Sequence, residues 1–488
     1  MSSASRTLLL LCSLQILTWG LIAPLFHTSL PLDVAELVAF SGESVIANYK
    51  HPNWPGLLYE MVVSLTGSFG SVYLLSQLSI VASYAGIYLL AKEFVGERKA
   101  LVAVFLTSAI FYYHWPTPEF NHNILQIPLW SWATYLSWIA VRFNRVASWI
   151  GLGVVAGAMV WTKYSSGILL LWIFIWMLSF HEGRDRFRSL GPYLTGAIFV
   201  LAAMPQAQYL ISYDFLPLEY AARRAETGGI SDSLKFVLTQ LANHLFFVVL
   251  ILIGALLGRN MLVPKSQRVA SQTKFLLLVV VMPVVMVALL PVLSGKGLKS
   301  MWGTPMFNFS GLLLLYFVGN RMNDLRERRI KIAALCLIPL IGLLYISQHI
   351  WRAEFSDKPM RTLWPQAEMA QFFEQRYQQE TGVPLRLIAG SDWLSGTIVG
   401  GMAAGMADKP RVSIDGDAVK SPWITPEFAR TLGALIVWQG SPADSLVAFA
   451  VSLNADLAQS KSAEFVWHPD KADKPIVIQY ITIPPAKL

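Results

Sequence analysis

Long apolar runs separated by short polar loops fill the first 350 residues, and beyond them the pattern breaks into shorter and more polar segments. A helix crossing the hydrocarbon of a bilayer needs about 20 mostly apolar residues. Runs of that kind cover 8–26, 72–91, 100–113, 124–141, 146–161, 165–180, 190–211, 236–257, 275–293, 302–318 and 332–350. The expected architecture is a polytopic α-helical membrane protein of about eleven transmembrane helices over residues 1–350. From 351 to 488 the periodicity changes. A helical pattern over 364–379 is followed by strand-like stretches at 385–389, 411–414, 435–438 and 476–483, with helical stretches between the first three. That alternation predicts a C-terminal α/β domain.

Composition agrees with a bilayer as solvent, because 55% of the 488 residues are apolar and only 14% are charged. The net charge of +8 suggests nucleic-acid binding until the basic residues are placed. Eighteen of them, from Arg6 to Lys331, fall in alternate loops, whereas the opposite loops hold seven: Lys50, Lys163, Arg223, Arg224, Lys235, Lys296 and Lys299. Cytoplasmic loops carry the excess of Lys and Arg. The N-terminus is therefore expected in the cytoplasm and the C-terminal domain outside it, at a bacterial inner membrane. Arg6 and the apolar run after it also fit a signal peptide, but the run is long for one and lacks an Ala-x-Ala site, so retention is expected. Cys12 and Cys336 lie in apolar runs without ligand-spaced neighbours and read as core residues.

Chemistry concentrates in two outer loops. The first, 27–70, contains Asp33 and Glu36 and then Tyr49-Lys50-His51-Pro52-Asn53-Trp54-Pro55. The second, 114–123, contains Glu119 and His122. Each of these has a plain structural reading. Asp33 with Glu36 three residues later is a capping-box pattern. Lys50 and Trp54 fit interfacial anchors, with Pro52 and Pro55 limiting the mobility of the segment. Glu119 and His122 can cap the fourth span. No three-ligand metal set is visible, so no metal or other cofactor is predicted, and dependence on a divalent metal is left open. His244, inside a span, reads as a buried hydrogen-bonded histidine. In the C-terminal domain Asp392, Asp415 and Asp417 follow predicted strands, where α/β sheets place ligands, but turn and capping roles suit them equally.

An early Asp in a long first outer loop, a later Lys-His-Pro segment, many helices and an outer C-terminal domain together resemble the C-superfamily of membrane glycosyltransferases. The likeness is to the branch of protein O-mannosyltransferases and lipid A aminoarabinose transferases, glycosyltransferase family 39, and lies mainly in the first 170 residues. The resemblance implies inverting transfer of a sugar from a polyprenyl-phosphate donor to a lipid, glycan or protein acceptor at the outer membrane face, lipid A modification among the cell-envelope roles. It assigns Asp33 and Glu119 to catalysis and Lys50 to the donor phosphate. His51, Arg223 and Arg224 are further candidates for the phosphate, and Glu36, Tyr49 and His122 complete the outer-face set. Lys-His-Pro departs from the commoner Lys-Pro-Pro form. The competing classes are a membrane transporter or lipid flippase, which would show repeated halves and mid-bilayer ionisable residues, and a non-catalytic scaffold. No internal repeat is visible, and the polar residues gather at one face.

Overall fold

The computed structural model describes residues 3–486 except 44, 226 and 403–408. Each of the eleven expected spans falls on a helix or on a bent pair of helices. Five helices are individually long and apolar enough to cross a membrane: Ala4–Phe26, Ser71–Thr107, Gly191–Ser212, Ala270–Ser294 and Asp324–Phe355. Three bent pairs, Tyr164–Leu178 with His181–Arg188, Ile230–Asn243 with Leu245–Ile253, and Ser300–Phe307 with Ser310–Val318, bring that number to eight. The helices His122–Phe143 and Val146–Thr162 carry the fourth and fifth expected spans. Ser71–Thr107 carries both the second and the third, because it is broken at Gly96. Gly96 has φ 78°, a conformation that side chains with a Cβ resist, and it breaks the helix within the short charged segment 92–99 that joins the two spans. The protein is a multi-pass membrane protein.

His244 is a satisfied histidine, as expected: Nδ1 lies 2.7 Å from the Gln240 carbonyl and Nε2 3.2 Å from the Ser310 hydroxyl. Such pairing is what makes an imidazole tolerable among apolar helices.

The C-terminal domain is a mixed five-stranded sheet in the order β2-β1-β3-β5-β4. Its strands are β1 (Leu387–Gly390), β2 (Arg411–Ile414), β3 (Ala434–Trp438), β4 (Lys461–Phe465) and β5 (Ile476–Ile483). The strand β1 runs parallel to β2 and β3, and β5 runs antiparallel to β3 and β4. Four of the five were expected. The edge strand β4 is missing from the sequence reading because it is short and largely exposed, with only Ala463 and Phe465 buried. The first helix of the domain is Gln366–Thr381, two residues later than the pattern suggested at each end. Asp415 and Asp417 are turn residues: Asp415 has φ 52° and pairs with Lys420 at 2.6 Å, and Asp417 accepts from the Val419 amide.

A helix pair forms the centre of the domain's seat on the membrane part. Asp392–Gly400, which follows β1, packs against Leu32–Phe40 of the first long loop. At the crossing a Cβ on Gly396 would stand 1.9 Å from the Ala35 carbonyl oxygen, so only glycine permits this approach. Buried Lys409 donates to the carbonyls of Ser41 and Val38, at the C-terminal end of the loop helix where the dipole favours a cation. Arg411 pairs with Glu43, and the Leu30 amide donates to Gln366 Oε1 at 2.7 Å. Gly396→Val is expected to separate the two helices at a cost of about 1–3 kcal/mol or more. Limited proteolysis after Phe355 and a lowered Tm in detergent would register this, and unchanged protection would refute the close approach.

Candidate active site

The loop helix Leu32–Phe40 begins after Pro31, so Asp33 lies in its first turn and not at the cap position. Its side chain caps nothing. Instead Oδ2 accepts a 2.7 Å hydrogen bond from Asn121 Nδ2, and the Asp33 backbone amide donates to Glu119 Oε1 at 2.8 Å. The capping-box expectation is therefore corrected, because Glu36 also turns away from the helix start, to Lys50. The fourth span is capped by Asn121, whose Oδ1 accepts from the amides of Asn123 and Ile124 at 2.9 and 3.0 Å. Neither Glu119 nor His122 has that role. One asparagine thus ends a helix with its oxygen and orients Asp33 with its nitrogen.

Lys50 and His51 are presented by a tight hairpin. Ala47 and Pro52 form an antiparallel bridge, the Asn48 amide donates to the His51 carbonyl at 2.9 Å, and Asn48 Oδ1 accepts from the amides of Lys50 and His51. Asparagine suits this turn because its side chain replaces a backbone acceptor. The Lys50 ammonium is nearly enclosed, 2.9 Å from Glu36 Oε2 and 2.6 Å from Asp392 Oδ2. A solvated interfacial anchor would be exposed; this lysine is ion-paired on two sides. Tyr49 donates to the same Asp392 oxygen at 3.1 Å. His51 stacks obliquely on His122 with ring centroids 4.5 Å apart, and His122 Nε2 meets the Pro52 carbonyl at 3.0 Å.

Several of these residues line a cavity of about 110 Å³. Asp33, Glu36, Lys50, His51, His122 and Arg224 all face it, joined by Asn121, Lys163 and Lys299. Lys163 donates to Asn123 at 2.6 Å, and Arg224 donates to Tyr220, whose ring packs edge-on to Tyr49 and His51. Arg223 points elsewhere, to Glu219 at 3.5 Å, and is well exposed, so it does not join the site. Glu119 stands behind Asp33, and Tyr49 beside Asp392.

Burial sets the protonation states. It raises the Asp33 carboxyl, against the opposing pull of the Asn121 hydrogen bond and the Lys50 charge. Burial and the Asp392 charge push Glu36 up to about 7. Burial and Asp33 push Glu119 up to about 8. Burial lowers Lys163 to about 8. Burial works against the Lys50 charge, but Asp392 and Glu36 outweigh it and hold the ammonium above its usual range. Burial, with His122 nearby, drives His51 well below the usual imidazole value, so it is a neutral ring and not a cation for a phosphate. The site therefore couples a carboxylate able to take a proton near neutrality with cations able to hold an anion.

Asn121, Lys163 and Asp392 were not selected as site residues from sequence. Asn121 carried a signal, an asparagine directly before a span. Asp392 followed a strand but is 342 positions from Lys50, and nothing local joins the two.

Residues 50–209 match the family model described as dolichyl-phosphate-mannose-protein mannosyltransferase. That segment contains Lys50, Glu119 and Lys163 and leaves out Asp33, Arg224 and Asp392. No curated protein sequence matches the chain. Among solved structures, ArnT from Cupriavidus metallidurans bound to undecaprenyl phosphate superposes with a TM-score of 0.64 at 10% identity, covering 98% of both chains. The same protein in its apo state gives 0.63 at 12% identity, again over 98% of both.

The raised carboxyls make a pH prediction. Glu36 and Glu119 bind protons more tightly folded than unfolded, so their contribution favours the fold below about pH 4.5 and is lost as pH rises through about 7 and 8. Glu119→Gln should flatten the fall of Tm between pH 6 and 9; an unaltered slope would show that Glu119 does not titrate there. The matched segment and the full-length superposition agree: residues 50–209 are similar to the dolichyl-phosphate-mannose-protein mannosyltransferase family, within a chain that has the fold of ArnT.

Proposed function

We propose that the protein transfers a sugar, with inversion, from a polyprenyl-phosphate donor to a lipid, glycan or protein acceptor, and that it does so at the outer face of a bacterial inner membrane. One observation carries this reading: a buried carboxylate, Asp33, and the cations Lys50, Lys163 and Arg224 converge on one cavity at the loop end of an apolar helical bundle. The bundle suits a polyprenyl tail and the cavity suits its head group. The undecaprenyl phosphate bound by ArnT is consistent with a lipid-phosphate ligand.

In this reading Asp33 removes a proton from the acceptor as the acceptor attacks the anomeric carbon. The bond from that carbon to the phosphate oxygen breaks and its electron pair stays on the phosphate. Lys50 faces the charge that grows there, and in a cavity of low dielectric such a fixed cation is worth more than in water. Arg224 and Lys163 line the same wall and add to the attraction. Glu119 binds the Asp33 amide and shares its surroundings, which makes it a positioning residue. The orientation follows from the basic loops, which place the N-terminus in the cytoplasm and the cavity on the opposite side.

Release of polyprenyl phosphate from a labelled donor by the purified protein is the direct assay. Asp33→Asn retains an acceptor for Asn121 and is expected to fold and bind donor while transfer falls about 10²–10⁴-fold; near-normal transfer would remove Asp33 from the chemistry. Lys50→Ala should weaken donor binding, and unchanged affinity would exclude a phosphate contact. Movement of lipid across vesicles without release of phosphate would support a flippase instead. Reporter fusions after Arg188, Arg268 and Arg329 should report cytoplasm, and those after Arg224 and Lys358 the other side. A cytoplasmic signal at Lys358 would overturn the orientation.

A further inference from the structure

The proposed reaction changes the charge of the lipid phosphate. The donor is a phosphodiester with one negative charge. Cleavage leaves the bonding electron pair on the phosphate oxygen, and the product is a monoester carrying about −1.5 to −2 near pH 7. A charged group fixed beside the Lys50 ammonium meets substrate and product differently.

Asp392 is such a group, and it comes from the C-terminal domain. We propose that Asp392 is a specificity-determining residue of the lipid-phosphate site, whose carboxylate beside Lys50 favours the singly charged diester over the more highly charged monoester and so promotes product release. The proposal rests on the reading that Lys50 contacts the donor phosphate.

The carboxylate is held in place on every side. Its Oδ2 accepts from Lys50 at 2.6 Å and from Tyr49 at 3.1 Å, and its Oδ1 accepts from the Trp393 amide at 2.8 Å. The helix that carries it cannot easily draw back, because Gly396 seats it against the Ala35 carbonyl and the Lys409 and Arg411 contacts anchor the neighbouring chain. A phosphate approaching Lys50 therefore shares the ammonium with Asp392 rather than replacing a departed domain.

The second carboxylate on Lys50 behaves differently. Glu36, pushed up to about 7, can give up its charge by taking a proton when an anion arrives. Burial opposes the Asp392 charge, but Lys50 outweighs it and keeps Asp392 below the usual carboxylate range, so its charge persists. With Lys163 and Arg224 on the cavity wall, attraction for a monoanion remains while each added negative charge meets a fixed carboxylate. Like charges a few ångströms apart in a partly buried site change affinity by about tenfold or more.

The test uses the full-length protein in detergent, titrated near pH 7.5 with undecaprenyl phosphate and with its methyl ester, a diester on the same tail. Wild type should bind the methyl ester more tightly. Asp392→Asn should bind the monoester about tenfold more tightly, with the diester changed less than threefold, and should show stronger product inhibition in turnover. Asp392→Glu, which keeps the charge, should keep the wild-type preference. Equal changes for both lipids in Asp392→Asn, or weaker monoester binding, would overturn the proposal. If Asp392→Asn does not fold, wild type still decides, because a monoester bound more tightly than the diester is incompatible with it. Lys50→Ala separates the two readings: unchanged affinity for both lipids would remove the phosphate contact itself, whereas loss of both together with an unaltered preference in Asp392→Asn would remove only the role of Asp392.

Discussion

An ammonium taken out of water must be paired, and the pairing of Lys50 holds together parts of the chain that are far apart in sequence. Leaving such a charge without partners costs several kcal/mol. Here the partners are Glu36 on the first-loop helix and Asp392 on the C-terminal domain, while the lysine itself sits on a hairpin shaped by Asn48. Hairpin, loop helix and domain are thereby fixed relative to one another. The cavity between them inherits its shape from that constraint.

The helical bundle supplies a platform and the loops supply the chemistry. Asn121 joins the two, since the bonds that start the fourth span also direct its amide nitrogen at Asp33. A catalytic candidate is thus located by a helix end, which is more rigid than a loop of similar length. Glu119 reaches the backbone of the same residue from the loop just before that helix. Burial raises the proton affinity of both carboxyls, and the nearby Asp33 charge raises that of Glu119 further. That is a common way to obtain a base that works near neutral pH.

The C-terminal domain is part of this arrangement and not an appendage. Its seat on the loop helix combines a glycine contact that admits no side chain with a lysine on helix-end carbonyls and an arginine–glutamate pair. Asp392 lies at the start of the seated helix, immediately after β1. This is the strand-to-helix position at which open α/β sheets often bind ligands. In this protein the position faces a lysine of the membrane part.

Sequence alone located the apolar helices, because eleven apolar runs are a local property and each falls on a helix or a bent helix pair. It also determined four of five strands and the satisfied state of His244, and it singled out Asp33, Glu36, Lys50, His51, His122 and Arg224, which the fold then brings to one cavity. It left a capping box open beside a catalytic role for Asp33, since the same Asp-Glu spacing serves a cap or two separate long-range contacts and only the fold chooses. It could not separate Arg223 from Arg224, adjacent residues that a helical turn directs to different surroundings. Nor could it pair Lys50 with Asp392 or give Asn121 its second bond, for these depend on two helices meeting at Gly396 and on a loop returning beside the first. Local pattern fixes what each segment becomes. Which charges meet is decided by how the segments pack, and burial, with the protonation states it imposes, exists only after that packing.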